Sequence, residues 1–479
     1  MTGFLGGAPL SIKGPAAGMI VIALGAVNEL GGGDPLLGYK RALAVGVVAA
    51  VVQIVFALVR AGAIAAVMPP FVVHGMLAAI GVIIIAKQFP VMAGVLGAHG
   101  EPLEMLREIP HYLADADGPV LVLGLAAVAI LVFYPLIKVK VTEYVPAPMV
   151  VLLVAVPLAA IIHLGDSGTT SLFGVGGPSG PEYLVSLPGS LLDAITLPDF
   201  SVVFSPTSLK YVVMYALVGS IESLLSVIAV DSMDPEKHSS DLDRDLLATG
   251  VGNLAASFIG GLPMISEIVR SKANVDAGAK TGGSNFFHGL YLLLFVAAAP
   301  GLLQMIPLAA LAAMLVITGA RLASPSEFSH AWHVGRDQFA VFLTTFIVTL
   351  ATDLLVGVGV GLLLKVVLHV VRGASPLDLV RPGFDLSHEG AVVDVHMKGP
   401  ASFTNLFFLR RALAREVDPT VELVRVDFGD ATLVDHTTQE KLHQLGEEWK
   451  GAKLEVVGLE GFGASSAHEF ATRTRRARQ

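Results

Sequence analysis

No cysteine occurs among the 479 residues, which excludes a disulfide framework and any thiolate metal site. Charge is scarce as well: Asp, Glu, Lys and Arg make up 15% of the chain, against about a quarter in an ordinary soluble domain. The net charge of −9 is modest, and no basic, aromatic-interleaved stretch of the nucleic-acid-binding kind is present. A phosphate-binding loop of the G-x-x-x-x-G-K-S/T type is missing, so pumping by ATP hydrolysis has no support. His74, His288 and His396 are too dispersed for a metal set, and no nucleophile stands beside a base, so neither a metal centre nor an enzyme is expected. The first eleven residues, MTGFLGGAPLS, carry no charged leader and no signal-peptide layout. They read as the end of one helix rather than as the start of a protein.

What the chain has in quantity is apolar sequence. Hydrophobic residues reach 54%, and 30 of the 71 charged residues fall from Arg372 onward. Uncharged runs cover 42–59, 61–86, 118–137, 246–266 and 286–320. Several match the length needed to cross roughly 30 Å of hydrocarbon as a helix. These features predict a polytopic α-helical membrane protein. Spans are expected at 15–31, 41–60, 68–90, 118–137, 144–162, 207–232, 245–260, 267–277, 286–301, 306–321, 338–353 and 354–371. Residues 163–205, rich in Gly, Ser and Pro, read as an extramembrane excursion. Lys138, Lys140, Lys237, Arg244, Arg321 and Arg336 fit one side of an alternating layout, which the positive-inside rule makes cytoplasmic; Arg107 falls on the other side.

Two spans are short and open abruptly, at 14–18 (GPAAG) and within 263–278. Proline is tolerated in a first helical turn because its missing N–H is unpaired there in any case. Half-helices paired between two repeats aim their positive N-termini at a mid-membrane site, where free backbone N–H groups hold an anion. Ordinary packing through small residues also explains GPAAG. In PMISEIVRSKANVDAGAK (263–280), Arg270 falls in the first turn of the second half-helix, directly after an uncharged run. An arginine at membrane depth faces a cavity or a partner, so it is an anion-binding group, one half of an ion pair with Glu267 or Glu222, or a side chain that snorkels toward the interface. Glu222 stands alone on an apolar helix, as a proton carrier, a cation ligand or that partner.

Beyond Arg372 the pattern changes. Residues 391–397, 421–428 and 452–458 have strand composition, 407–417 and 436–450 have helical periodicity, and 464–476 reads as a third helix. Alternating strands and helices predict a small soluble α/β domain. The expected organisation is a membrane domain over 1–371, a linker over 372–388, an α/β domain over 389–470 and a basic tail over 471–479. That tail, R473-T-R-R-A-R-Q, either touches anionic lipid or is solvated.

The run E222-S-L-L, the cluster D241-L-D-R-D-L, G250-V-G-N-L with G260-G-L-P, R270-S-K-A-N-V-D-A-G-A-K and G14-P-A-A-G resemble the SulP anion transporters, related to the solute carrier 26 family. L433-V-D-H-T and G458-L-E-G resemble the STAS domain that follows the membrane part in that family. The resemblance implies fourteen transmembrane segments in two inverted repeats of seven, arranged as core and gate domains with an elevator-like movement. Twelve spans are visible here, so the first segment and most of the second are expected to be missing, through a misassigned or shortened start or a degenerate membrane part. By similarity the anion sits between the N-termini of the third and tenth segments, near Pro15, Ala16 and Ala17 on one side and Ile268, Val269, Arg270 and Ser271 on the other. Val269 stands where many members have serine. Glu222, with Glu267, is implicated in coupling to protons or sodium. Thr437, which follows Asp435 and His436, matches a phosphorylatable position or serves as a helix cap.

The implied function is secondary transport of a small anion (sulfate, bicarbonate or a dicarboxylate) by symport or exchange, in a homodimer of the bacterial inner membrane with the α/β domain in the cytoplasm. Two other readings are a transport-inactive membrane-anchored sensor or scaffold, and a nucleobase permease. The α/β tail and Arg270 count against the permease.

Overall fold

Short polar caps and prolines set the helix starts. In the computed structural model, residues 2–475 are described except 16, 63–66, 138–144, 188–193, 235, 237–239, 353, 380, 419 and 450. The principal helices of the first part are α1 (Ala17–Gly31), α2 (Pro35–Leu58), α3 (Pro70–Met92), α4 (Gly118–Phe133), α5 (Ala147–Ile161), α6 (Pro206–Met233) and α7 (Leu242–Ile259). They continue as α8 (Ile268–Asp276), α9 (Gly283–Ala298), α10 (Leu308–Leu322), α11 (Pro325–Val334), α12 (Arg336–Ala351) and α13 (Leu354–Val371). Carboxylates of Asp34, Asp117 and Asp241 and the hydroxyl of Ser205 accept N–H groups in the first turns of α2, α4, α7 and α6. Proline occupies the first turn of α2, α3, α4, α5, α6 and α11.

Twelve of these helices answer to the twelve expected spans. The thirteenth, α11, was not expected, because PSEFSHAWHV carries acid and histidine and falls outside every uncharged run. Among the described residues, six segments are long and apolar enough to cross a bilayer: Pro35–Leu58, Pro70–Met92, Gly118–Leu136, Pro206–Asp231, Leu308–Val334 and Leu354–Val371. Met19–Gly31, Ala147–Ile161 and Gly283–Ala298 are shorter and apolar. Their largest buried cluster joins Met19, Ile22 and Ala26 of α1 to Val45 and Ala49 of α2, Met76 and Ile80 of α3, and Tyr211 and Tyr215 of α6. Glycine allows the closest approach. A side chain at Gly81 or Gly319 would meet the other's carbonyl oxygen, so α3 and α10 touch backbone to backbone.

Four short strands accompany the helices. β1 (Ile12–Gly14) and β4 (Ile265–Glu267) form an antiparallel ribbon, while β2 (Gly168–Leu172) and β3 (Val175–Ser179) form a hairpin within the expected excursion. The C-terminal part adds β5 (Phe384–Glu389), β6 (Val392–Ala401), α14 (Phe403–Glu416), β7 (Leu423–Val434), α15 (His436–Glu448), β8 (Lys453–Val457), β9 (Phe462–Ala464) and β10 (Arg473–Arg475). The sheet runs β5-β6-β7-β10-β9, and β8 pairs the first half of β7. Leu409, Leu413 and Leu442 from the two helices cover Val393, Val395, Val424, Val426 and Phe428.

The sheet corrects three expectations. The third helix over 464–476 is replaced by β9 and β10, because the far end of β7 has a free edge that β10 pairs at Leu433 and Val434. β5 pairs β6 along its length, so strand residues enter the stretch read as a linker, 372–388. β10 likewise takes residues of the stretch read as a tail, 471–479, of which 476–479 lie outside the described residues.

The domain is docked on the membrane helices through a buried polar seam. One oxygen of Asp337 accepts from Arg372 at 2.7 Å, from Thr472 at 2.8 Å and from Gln338 at 2.8 Å. Lys365, fully buried on α13, donates to Gln338 at 3.0 Å and lies 3.9 Å from Asp435, which His369 approaches at 3.5 Å. Ser466 donates to the Val334 carbonyl at 2.6 Å. Beside the seam, burial pushes the His436 imidazole below its ordinary range. Asp337→Ala removes the acceptor of three contacts, of which the Thr472 bond joins the C-terminal sheet, and is expected to weaken docking by about 1.5 kcal/mol. Faster amide hydrogen exchange across β10, with β6 and β7 unchanged at their other ends, is the expected reading.

Candidate functional site

Two helices begin inside the structure at the ends of one ribbon. Ile12 faces Glu267, Lys13 faces Ser266 and Gly14 faces Ile265. From Gly14 the chain passes Pro15 into α1, and from Glu267 it passes directly into α8. Because the strands are antiparallel, the helices leave from opposite ends of the ribbon. Their unpaired N–H groups and partial positive charge lie along it.

Arg270, in the first turn of α8, spans that separation. Its Nε is 3.0 Å from a Glu267 carboxylate oxygen. Its guanidinium reaches Gly14 so closely that any side chain at that position would collide with it. Arg270 therefore has both of its expected relations: it is paired with Glu267, and it is presented at the mouth of α1. Its side chain stays 41% exposed, which leaves donors for a ligand. A cavity of about 430 Å³ opens there, bordered by Lys13, Gly14, Pro15, Arg270, Asn285 and His288, with Met264 and Phe286 as apolar walls.

The other expected site residues divide. Pro15 lines the cavity. Ser271 does not, because its buried hydroxyl accepts the Ile12 N–H at 2.9 Å and donates to the Glu267 carbonyl at 2.5 Å. It tethers β1 to α8. Ile268 is exposed at the start of α8. Ala16 lies outside the described residues, as do the side chains of Ala17 and Val269. Glu222 is buried on α6, and its Oε2 has no hydrogen-bond partner. No ion pair joins it to Arg270, so the pairing considered from sequence falls to Glu267 alone. In the C-terminal domain Asp435 caps α15, accepting the Thr438 N–H at 2.6 Å, so the cap is Asp435 and not Thr437. Thr437 is fully buried, and its hydroxyl has no partner.

Sequence reasoning missed the group that anchors the ribbon. Lys13 is buried, and its ammonium contacts Asp245 at 2.6 and 2.9 Å, Ser266 at 2.5 Å and Ser11 at 3.2 Å. Ser223, next to Glu222, accepts the Ser266 N–H at 3.1 Å and so ties α6 to the same knot. Asn285 accepts the Lys13 N–H at 3.0 Å. Asn253 holds the approach to β4, accepting from Met264 N–H at 2.7 Å and donating to Gln53 at 3.0 Å. The available signal was a lone lysine directly before GPAAG, with Asp245 closing the charged run D241-L-D-R-D at the head of α7.

Lys13→Met should strand Asp245 as a buried, unpaired charge and cost roughly 3–5 kcal/mol. The double variant Lys13→Met with Asp245→Leu should recover much of that loss. A thermal-unfolding double-mutant cycle in detergent reads the coupling.

Comparison with known proteins places these features in a wider set. Residues 1–345 match the sulfate permease family. The bicarbonate transporter BicA of Synechocystis is 25% identical over 476 residues, covering 95% of this chain and 80% of that protein. The putative sulfate transporter YvdB of Bacillus subtilis is 25% identical over 463 residues, covering 95% and 83%. Among solved structures, the transmembrane domain of a cyanobacterial BicA superposes with a TM-score of 0.61 at 21% identity, over 74% of this chain and 85% of that one. The murine Slc26a9 anion transporter in its inward-facing state gives 0.63 at 15% identity, over 95% and 78%.

Proposed function

The chain belongs to the sulfate permease family, and we propose that the cavity between the ribbon, α8 and α9 is where it binds its anion. It is a multi-pass membrane carrier of a small anion with an elevator-type fold. The observation that carries the site assignment is the position of Arg270, with its guanidinium between the starts of α1 and α8 and beside a cavity. Two helix N-termini and one guanidinium form a fixed positive field, and none of the three needs to move to receive a negative charge. Pro15 shapes the α1 side, and the backbone N–H groups from Ile268 to Ser271 supply the α8 side.

Sulfate, bicarbonate and a small dicarboxylate all suit such a field. Glu222 is the coupling group, because a buried carboxylate with an unpartnered oxygen takes up a proton or a sodium ion readily. Glu267 holds Arg270 in place while the site is between substrates. We place the carrier in the inner membrane of a bacterium as a homodimer, with the C-terminal domain in the cytoplasm.

Uptake of radiolabelled sulfate, bicarbonate and fumarate into proteoliposomes, with and without proton or sodium gradients, tests this reading. Arg270→Ala should lower uptake about thirtyfold, the equivalent of about 2 kcal/mol for a lost charge-assisted contact. Glu222→Gln should leave substrate binding measurable while abolishing dependence on the gradient. Undiminished uptake by Arg270→Ala would move the site elsewhere.

A further inference from the structure

Far from the ribbon in sequence, α3 and α11 bring together His74, Glu327 and His330, whose ligand atoms all lie within 4.8 Å of one another. Glu327 and His330 are one turn apart on the same face of α11, the Glu-x-x-His spacing by which a helix offers two ligands to one ion. His74 comes from the first turns of α3, with Nδ1 3.1 Å from a Glu327 carboxylate oxygen. That ring nitrogen is buried, and the Glu327 carboxylate is its neighbour.

The spacing of the two helices does not depend on these polar groups. Phe71 and Ala78 of α3 pack against Ala331 and Val334 of α11 and Phe342 of α12. The rings of His74 and His330 both lie on Phe71, at centroid distances of 5.7 and 5.6 Å. The apolar packing thus presents the three ligands together, and His330 is exposed, so an ion has a path in.

We propose that His74, Glu327 and His330 form a binding site for a divalent transition-metal ion of the zinc type, with its fourth position open to water. Two imidazoles and one carboxylate are the ligands such an ion takes, whereas calcium and magnesium prefer oxygen alone. Bonds of about 2.1 Å in a tetrahedron put neighbouring ligand atoms about 3.4 Å apart. The His74–Glu327 separation already matches, and a modest side-chain rotation brings His330 in. The bound ion clamps α3 to α11. It does so at the docked C-terminal domain, because the same Phe71 ring lies 5.4 Å from that of His436. This inference is independent of the anion site.

The test uses the full-length protein in detergent, stripped with a chelator and titrated with Zn2+ against a fluorescent zinc indicator. One high-affinity Zn2+ per chain is expected, with a rise in melting temperature on binding. His74→Ala and His330→Ala should each weaken binding by more than about tenfold and remove the thermal shift. His333→Ala, whose ring bonds its own helix at Ser329, should bind as the wild type does. Co2+ should give four-coordinate visible bands that His330→Ala loses. His330 is exposed, so that variant carries the test even where His74→Ala fails to fold. Wild-type protein that takes up no Zn2+, or uptake unchanged in His330→Ala, would overturn the proposal.

Discussion

The β1–β4 ribbon is the contact on which the transport half of the molecule depends. A chain that begins a helix inside an apolar body leaves N–H and C=O groups that no lipid can satisfy. Here two such beginnings solve the problem for each other by pairing as strands. Three short registers satisfy the backbone, and the buried Lys13–Asp245 pair locks them from the side. Removing one member of that pair would leave the other as a charge where no water reaches it, so the ribbon either closes in this register or opens at considerable cost.

Arg270 gains its role from that closure. An arginine on a nine-residue helix has no fixed direction, but the ribbon brings Gly14 under its guanidinium and Glu267 beside its Nε. Glycine at position 14 is required by space: the guanidinium occupies the volume a side chain would take. Ser271, which follows Arg270, serves the frame by holding Ile12. Adjacent residues of one motif thus do different work, one facing the cavity and the other the scaffold.

The second polar seam, between α12, α13 and the C-terminal domain, follows the same logic at the other boundary. Lys365 and His369 sit on an otherwise apolar helix and are buried where Asp435, Gln338 and Phe403 meet them. Asp435 also caps α15, so the residue that starts a helix of the C-terminal domain faces the charge on the membrane helix. A change in the docking of that domain would therefore be felt directly at α13.

Hydropathy and charge spacing alone located twelve helices, the change of character near Arg372 and the two abrupt helix starts, because each of these is a local property of a run of residues. Glu222 stood out for the same reason, as an isolated charge on an apolar helix, and Arg270 because its charged stretch opens directly after an uncharged run. Lys13 with Asp245, Asn285 with β1, and His74 with Glu327 and His330 are separated by roughly 230 to 270 positions in sequence. No local pattern joins such residues. The short strands β1, β4 and β10 were hidden for a related reason: three residues carry no periodicity, and each is a strand only because a distant edge was left unpaired. The sequence by itself determined which segments are apolar enough to enter a membrane, since hydropathy is a property of each residue in turn. Which charges meet, and hence where an anion can rest, was decided only when packing brought the distant segments together.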